Sequence, residues 1–129
     1  MKVMKLYGEH DSHVTLTLWL MERNYIKFCR AVVFYRGTDW VLFNKLTIGD
    51  GSHAFNISTP YEPTRERSGS YFVEETVVFD IWTRSEFSLW KKAKQLRIKG
   101  RYYDDFCIDP VEYDAVMSLV NKYLFNGTA

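Results

Sequence analysis

The segment YFVEETVVFDIW, residues 71 to 82, restricts the fold more than any other part of the sequence. Apolar residues recur at every second position, which is the period of a β-strand with one buried face. Glu75 falls in the same register as Val73 and Val77, so its carboxylate is expected on the face that carries those apolar side chains. The segment therefore predicts one long strand.

More strands are predicted before this one. VTLTLWL, residues 14 to 20, alternates aliphatic residues with threonine, and YIKFCRAVVFYRG follows it in a second extended pattern. RGTD interrupts this pattern and WVLFNKLTI resumes it, which predicts a hairpin. GDG at 49 to 51 predicts a further tight turn, because Asp-Gly tolerates the positive φ that such turns require. SHAFNIS is then the returning strand.

Two helices are predicted in the C-terminal part of the chain. Thr83 and Glu86 have the spacing of a capping box, in which each side chain accepts a hydrogen bond from the other residue's backbone amide. For the second helix, Asp109 is the predicted N-cap, and Pro110 suits the first helical position, where no backbone donor is needed. Two short strands, LRIKG and YYDDFCI, are predicted between the helices.

The order of these elements, strands first and helices late, favours the α+β class. We expect an antiparallel β-sheet or small sandwich of about six strands, covered by two helices, in the order β-β-β-β-β-α-β-α. Residues 1–129 are expected to form a single domain. The polar segment 58–70 contains two prolines and a glycine, and we expect it to be a mobile loop.

Three motifs resemble those of small uncharacterised bacterial and phage α+β proteins. FYRGTDWVLFNKLTIGDG is similar to their Y-x-G-x-x-W-x-F strand pair, which is followed by a DG turn. LWKKAKQLRIKG is similar to their R-x-x-G segment, and DPVEYDAVMSLVNKYL to their final helix. The resemblance spans residues 27 to 124. It implies the same order of elements and a bacterial or phage origin, and it implies no particular activity.

The charge balance and the aromatic content indicate which classes of partner the sequence favours. The 17 Lys and Arg nearly balance the 16 Asp and Glu, which removes the simplest argument for nucleic acid or an anionic membrane. Nine Phe, nine Tyr and four Trp suit either a β-rich core or an aromatic binding face. No signal peptide is recognised, and no segment reaches the ~20 apolar residues of a membrane span. We therefore expect a cytoplasmic protein, or a secreted one if the chain is a mature form.

The sequence contains no convincing catalytic set. Glu74 and Glu75 are neighbours in a strand, so they point to opposite faces and cannot act together. If the strands of Glu74 and Arg97 are adjacent, these two side chains are expected to form a structural ion pair. Cys29 and Cys107 have no histidine close in sequence, and in strand-like segments a reduced, buried thiol is the usual state. We predict no catalytic residue and no cofactor.

A metal site has little support in the sequence. HDSH places His10, Asp11 and His13 close together, and His53 is the remaining imidazole. A metal site needs three or four converging ligands, whereas a polar connection before a strand explains HDSH equally well. We predict no bound metal and keep a metal-dependent hydrolase as a third hypothesis.

The segment 84–101 is the best argument for nucleic acid. Basic residues there alternate with aromatic ones, a combination that suits single-strand binding by stacking and phosphate contact. Lysines opposite an apolar helix stripe usually form a solvated face, and the aspartates that follow repel phosphate. Nucleic-acid binding is kept as the alternative hypothesis. The basic residues are Arg84, Lys91, Lys92, Lys94, Arg97, Lys99 and Arg101.

The main hypothesis is a small non-enzymatic binding or accessory module. Its partner would be another protein or a second copy of the chain, with no membrane contact. Exposed aromatic side chains and the turn inside RIKGRYYDDF are the expected contact surface, because Tyr, Trp and Arg are enriched at interfaces. The predicted binding residues are Trp40, Tyr61, Arg101, Tyr102, Tyr103, Asp104 and Asp105.

Overall fold

The computed structural model describes residues 2–7 and 13–126, and for 2–7 it describes the backbone alone. Within these residues there are nine strands and two helices, which confirms the α+β class, whereas the expected number of about six strands is too low. The strands are β1 (Lys2–Tyr7), β2 (Val14–Arg23), β3 (Ile26–Gly37), β4 (Lys45–Gly49), β5 (Ala54–Ser58), β6 (Thr64–Ser68), β7 (Phe72–Ile81), β8 (Gln95–Lys99) and β9 (Tyr103–Cys107). The helices are α1 (Arg84–Lys91) and α2 (Pro110–Phe125).

The strands form two antiparallel sheets that share one core. The first sheet has the order β1-β2-β3-β7-β6, and the second has the order β5-β4-β8-β9. Buried side chains of both sheets belong to a single hydrophobic cluster, and buried residues of α1 and α2 complete it. The arrangement agrees with the predicted small antiparallel sandwich covered by two helices.

The long strand predicted over residues 71 to 82 is confirmed as β7, and its side chains alternate between buried and half-buried positions. Glu75 lies on the buried face and is 0% exposed. A buried carboxylate is stable only when it is paired, and here both of its oxygens have partners. Oε1 accepts a hydrogen bond from Nε of Arg65 at 3.0 Å, and Oε2 accepts one from the backbone amide of Val41 at 2.7 Å.

The predicted hairpin between β3 and β4 is wrong, because these two strands lie in different sheets. Residues 38–44 instead cross from the first sheet to the second, with Val41 and Phe43 buried in the core. Leu42 between them has a positive φ of 60°. The crossover passes so close to Gly100 that a Cβ there would overlap the carbonyl oxygens of Val41 and Leu42. Long-range contacts therefore determine this connection.

The predicted turn at GDG, the two short strands and the starts of both helices are confirmed. β4 and β5 pair across the GDG turn, where Gly51 has a φ of 97° and the Asp50 carboxylate accepts two backbone hydrogen bonds. The two short strands predicted between the helices are present as β8 and β9, and they pair with each other. Thr83 and Glu86 form the complete capping box of α1. Asp109 caps α2 by accepting hydrogen bonds from the amides of the second and third residues after it.

The loop expected over residues 58–70 contains a strand at its centre. Thr64–Ser68 forms β6, which pairs with β7 at the edge of the first sheet. Its sequence, TRERS, lacks the apolar alternation that marks a half-buried strand, which is why it reads as a loop. An edge strand can be entirely polar, because its free side faces water.

Candidate functional site

The edge strands of the two sheets differ in their protection against pairing with another chain. Charged side chains on an edge oppose such pairing. β1, β6 and β9 each carry charged residues in their sequences, whereas β5, Ala54–Ser58, carries none. Four of its five residues are exposed, and Phe55 is 38% exposed. β5 therefore presents unprotected backbone donors and acceptors along its outer side.

A cavity of about 370 Å³, which we call the aromatic cleft, begins at the C-terminal end of β5. Ile57 and Ser58 of β5 contribute to its wall, and the far wall comes from the end of β7 and from α1. The cleft lies where the second sheet turns toward the first through residues 59–63. The residues that line it are Ile57, Ser58, Thr59, Pro60, Tyr61, Phe79, Asp80, Trp82, Glu86, Leu89 and Trp90.

Three polar side chains hold the connection between β5 and β6 against the first sheet. Arg30 donates through Nε and Nη2 to the two carboxylate oxygens of Asp80, at 2.8 and 3.1 Å. The Tyr61 hydroxyl donates to Oδ2 of Asp80 at 2.5 Å and accepts from Arg30 at 3.3 Å. The hydrogen bond to Asp80 is the main reason that the pKa of Tyr61 is raised, and the same carboxylate raises the pKa of Arg30. These contacts fix the wall of the aromatic cleft.

Trp82 and Glu86 both line the cleft. The Trp82 ring stacks on Phe28 with centroids 4.0 Å apart and is still 37% exposed. Oε1 of Glu86 accepts hydrogen bonds from the amides of Trp82 and Thr83 and from the Thr83 hydroxyl. The capping box that begins α1 therefore also positions a carboxylate beside an exposed indole ring.

The structure gathers part of the predicted binding turn into a second cavity of about 420 Å³. Tyr102, Tyr103 and Asp104 line it together with His13 and Asp39, and both tyrosines are more than half exposed. Tyr103, Asp104 and Asp105 are part of β9, so the predicted turn is shorter than expected. The charges on β9 oppose strand addition at that edge.

The remaining predicted binding residues are spread over the surface. Tyr61 lies in the aromatic cleft, as described above. Trp40 is only partly exposed, because it packs against the hydrophobic core, and the guanidinium of Arg67 lies 5.9 Å from its ring centre. Arg101 is exposed, and its backbone amide donates to the carbonyl of Val41 at 2.6 Å.

The predicted ion pair between Glu74 and Arg97 is wrong, because β7 and β8 belong to different sheets. Arg97 instead forms a two-pronged contact with Asp105, on the neighbouring strand β9, with Nε–Oδ1 and Nη2–Oδ2 distances of 2.6 and 3.0 Å. The fully buried Glu75 pairs with Arg65, whose side chain stays 30% exposed. Sequence pattern gives the face of each carboxylate and does not give the neighbouring strand.

The basic residues of the segment 84–101 have different surroundings in the structure. Arg84 and Lys91 lie on α1, where the Arg84 guanidinium stacks on the Phe125 ring at 4.5 Å. Arg97 is paired with an aspartate in the second sheet, and Lys99 follows it on the same face of β8. The segment therefore divides its charge between a helix and a sheet.

The described histidines and cysteines of the metal and thiol predictions do not line the aromatic cleft. His10 and Asp11 lie outside the described residues, while His13 and His53 are exposed. Within residues 13–126 no group of three or more His, Cys, Asp or Glu side chains could hold a metal ion. Both cysteines are free thiols, and burial raises the pKa of the Cys29 thiol to about 12.

No described helix has the length and apolar character needed to cross a membrane. Comparison of the chain with models of known protein families, with curated proteins and with solved structures found no match.

Sequence reasoning found Tyr61 and missed most of the aromatic cleft. The sequence identifies Asp80 as a charged residue on a long strand and Glu86 as a capping residue. Their spacing in the sequence does not predict that both line the same cavity. One signal was available: AFNIS is a predicted strand without a charged residue, unlike TRERS. The strand order is needed to recognise that it forms an edge.

Proposed function

We propose that the protein is a non-enzymatic module that binds an extended segment of another polypeptide. The segment adds as a strand to the open edge of β5 and places one side chain in the aromatic cleft. The observation that carries this proposal is the position of an uncharged edge strand directly beside an aromatic cavity. In recognition by strand addition, backbone hydrogen bonds supply affinity and a neighbouring pocket supplies selectivity.

The register of β5 supports the arrangement. Phe55 pairs with Ile48 and Ile57 pairs with Leu46, so both side chains of β5 lie on the face of the sheet that is directed to the core. Ile57 also lines the aromatic cleft. Side chains of an added strand that share this face would point the same way, because side chains alternate along a strand. The cleft is then the pocket that such a side chain enters.

A second copy of the chain is the other partner that an open edge suits. Pairing of β5 with β5 of a second copy would bring only AFNIS to the interface. That strand offers no charged side chain to a cleft whose lining contains two carboxylates, Asp80 and Glu86. Strand addition by a different polypeptide therefore fits the site better than self-pairing.

A random linear peptide library screened against the protein tests the proposal. We expect enriched peptides to be extended and free of proline, and their binding to shift the backbone amide resonances of Ala54–Ser58 and the indole resonance of Trp82 in NMR spectra. Amide protons of β5 on its open side should also exchange more slowly in the complex. Failure to enrich any peptide, or resonance shifts confined to residues 101–105, would contradict the proposal.

A further inference from the structure

The aromatic cleft carries negative charge. Asp80 and Glu86 both line it, and the described residues of its lining include no Lys or Arg. The Asp80 side chain is 5% exposed and both of its oxygens already accept hydrogen bonds from Arg30 and Tyr61. The charge of Asp80 is therefore neutralised by Arg30. Glu86 is the carboxylate of the cleft that a ligand can contact.

Glu86 retains capacity to accept a hydrogen bond. Among residues 13–126, the three hydrogen bonds to this carboxylate all end on Oε1, so Oε2 keeps its acceptor sites. The residue is only partly exposed, beside the indole of Trp82. A hydrogen bond from a charged donor to a carboxylate is roughly twice as strong as one between neutral groups.

The aromatic rings add a second attraction for a cation. Trp82 and Tyr61 line the cleft and remain 37% and 39% exposed. Tryptophan has the ring face that attracts cations most strongly. The chain already uses this interaction next to the cleft, where the Arg30 guanidinium lies 5.2 Å from the centre of the Tyr61 ring.

We propose, building on the strand addition described above, that the cleft selects a cationic side chain, the ammonium of lysine or the guanidinium of arginine. The cation lies against the Trp82 ring and donates to the free oxygen of Glu86, while the aliphatic part of the side chain contacts Leu89 and Ile57. The partner is thus an extended polypeptide segment with a basic residue at the position that faces the cleft.

Substitutions in an enriched peptide test this selectivity. Replacing its cleft-facing lysine or arginine by norleucine, which keeps the aliphatic stem, should weaken binding about tenfold, and glutamate should weaken it further. Glu86→Gln in the protein removes the charge and keeps an acceptor for the capping box. We expect this variant to weaken binding of the basic peptide about tenfold and to leave the norleucine peptide unchanged. The matched control is Glu62→Gln, an exposed acid in the same connection that does not line the cleft.

The outcomes separate the two proposals. If no peptide binds at β5, the strand-addition function itself is wrong. If peptides bind at β5 but norleucine equals lysine, or if Glu86→Gln weakens both peptides equally, the function stands and the selectivity for a cation is wrong. A coupling between the peptide's charge and Glu86, measured in a double-substitution cycle, supports it.

Discussion

β5 and β6 are consecutive strands of equal length, each at the edge of a different sheet. They differ in whether charged side chains oppose pairing of that edge with another chain. β6 has the sequence TRERS, in which charge on the free edge opposes pairing with another chain. β5 has the sequence AFNIS and lacks that protection. The contrast shows that an unprotected edge is not a general property of this fold: among the four described edge strands, β5 alone has no charged residue in its sequence.

The two strands also differ in their links to the core. Arg65 of β6 donates to Glu75 on β7 and, through Nη2, to the backbone carbonyl of Phe43 at 2.7 Å. Glu75 in turn accepts from the amide of Val41. β6 is therefore part of a polar network that fixes the crossover between the sheets. β5 instead contributes to the side wall of the aromatic cleft. We infer that β5 binds a partner polypeptide, whereas β6 stabilises the fold.

The largest expected effect comes from Glu75. Replacing it by alanine removes the carboxylate partner of Arg65 and leaves the Val41 amide unsatisfied inside the core, so the free energy of unfolding should fall by about 3 kcal/mol. Urea denaturation measures this change. The control is Glu74→Ala, on the opposite face of the same strand, which should cost less than about 1 kcal/mol. Equal losses for the two variants would show that the network does not fix the crossover.

The next effect tests the open edge directly. Asn56→Lys places a charge on β5 and should weaken binding of a strand-adding peptide at least about tenfold, because edge lysines oppose strand pairing. Asn56 is exposed, and the hydrogen bond that it accepts from Thr47 lies at the surface. Its loss should therefore lower the stability of the folded state only slightly. Glu66→Lys places a lysine at an exposed position of β6 and serves as control, because it changes the net charge even more than Asn56→Lys does. Isothermal titration with an enriched peptide should show no change for Glu66→Lys, and a matching loss there would contradict the assignment to β5.

A smaller effect is expected from the connection between the two edges. Tyr61→Phe removes a hydrogen bond to Asp80 at a partly exposed position, so the free energy of unfolding at neutral pH should fall by about 0.5 kcal/mol. That hydrogen bond raises the pKa of Tyr61, so the protonated hydroxyl is favoured in the folded state. The contribution is therefore complete below about pH 10, the ordinary value, and is lost as the pH rises through the folded-state pKa.

The pH dependence gives the check on this hydrogen bond. The difference in unfolding free energy between the wild type and Tyr61→Phe should shrink above about pH 10, because only the wild type has this hydroxyl to ionise. Measuring the difference between the two proteins cancels the other tyrosines. A difference that stays constant up to strongly alkaline pH would show that the hydroxyl does not form the bond in solution.

The smallest expected effect concerns self-association. An unprotected edge is a template for pairing between copies at high concentration or during heating. We expect light scattering on heating to rise more slowly for Asn56→Lys than for the wild type, by a few-fold in rate. Glu66→Lys should aggregate at the wild-type rate, and slower aggregation of both variants would point to net charge rather than to β5.

Much of the fold was predictable where neighbouring residues determine it. The alternation around Glu75 gave the strand and the buried face, and the capping residues Thr83 and Asp109 gave the starts of both helices. β6 was not predictable, because a polar edge strand has no apolar period. The hairpin expected after β3 failed for a different reason: the positive φ of Leu42 and the close approach of Gly100 depend on strands that are distant in sequence.

Sequence alone therefore determined the type of most elements, the buried face of the long strand β7 and the starts of both helices. The tertiary structure decided which strands are neighbours, and with that the pairing of Glu75 with Arg65, the pairing of Arg97 with Asp105, and the exposure of β5 as an edge beside an aromatic cleft. The physical reason is that side-chain period reports burial on one face, whereas strand order depends on the packing of the whole core.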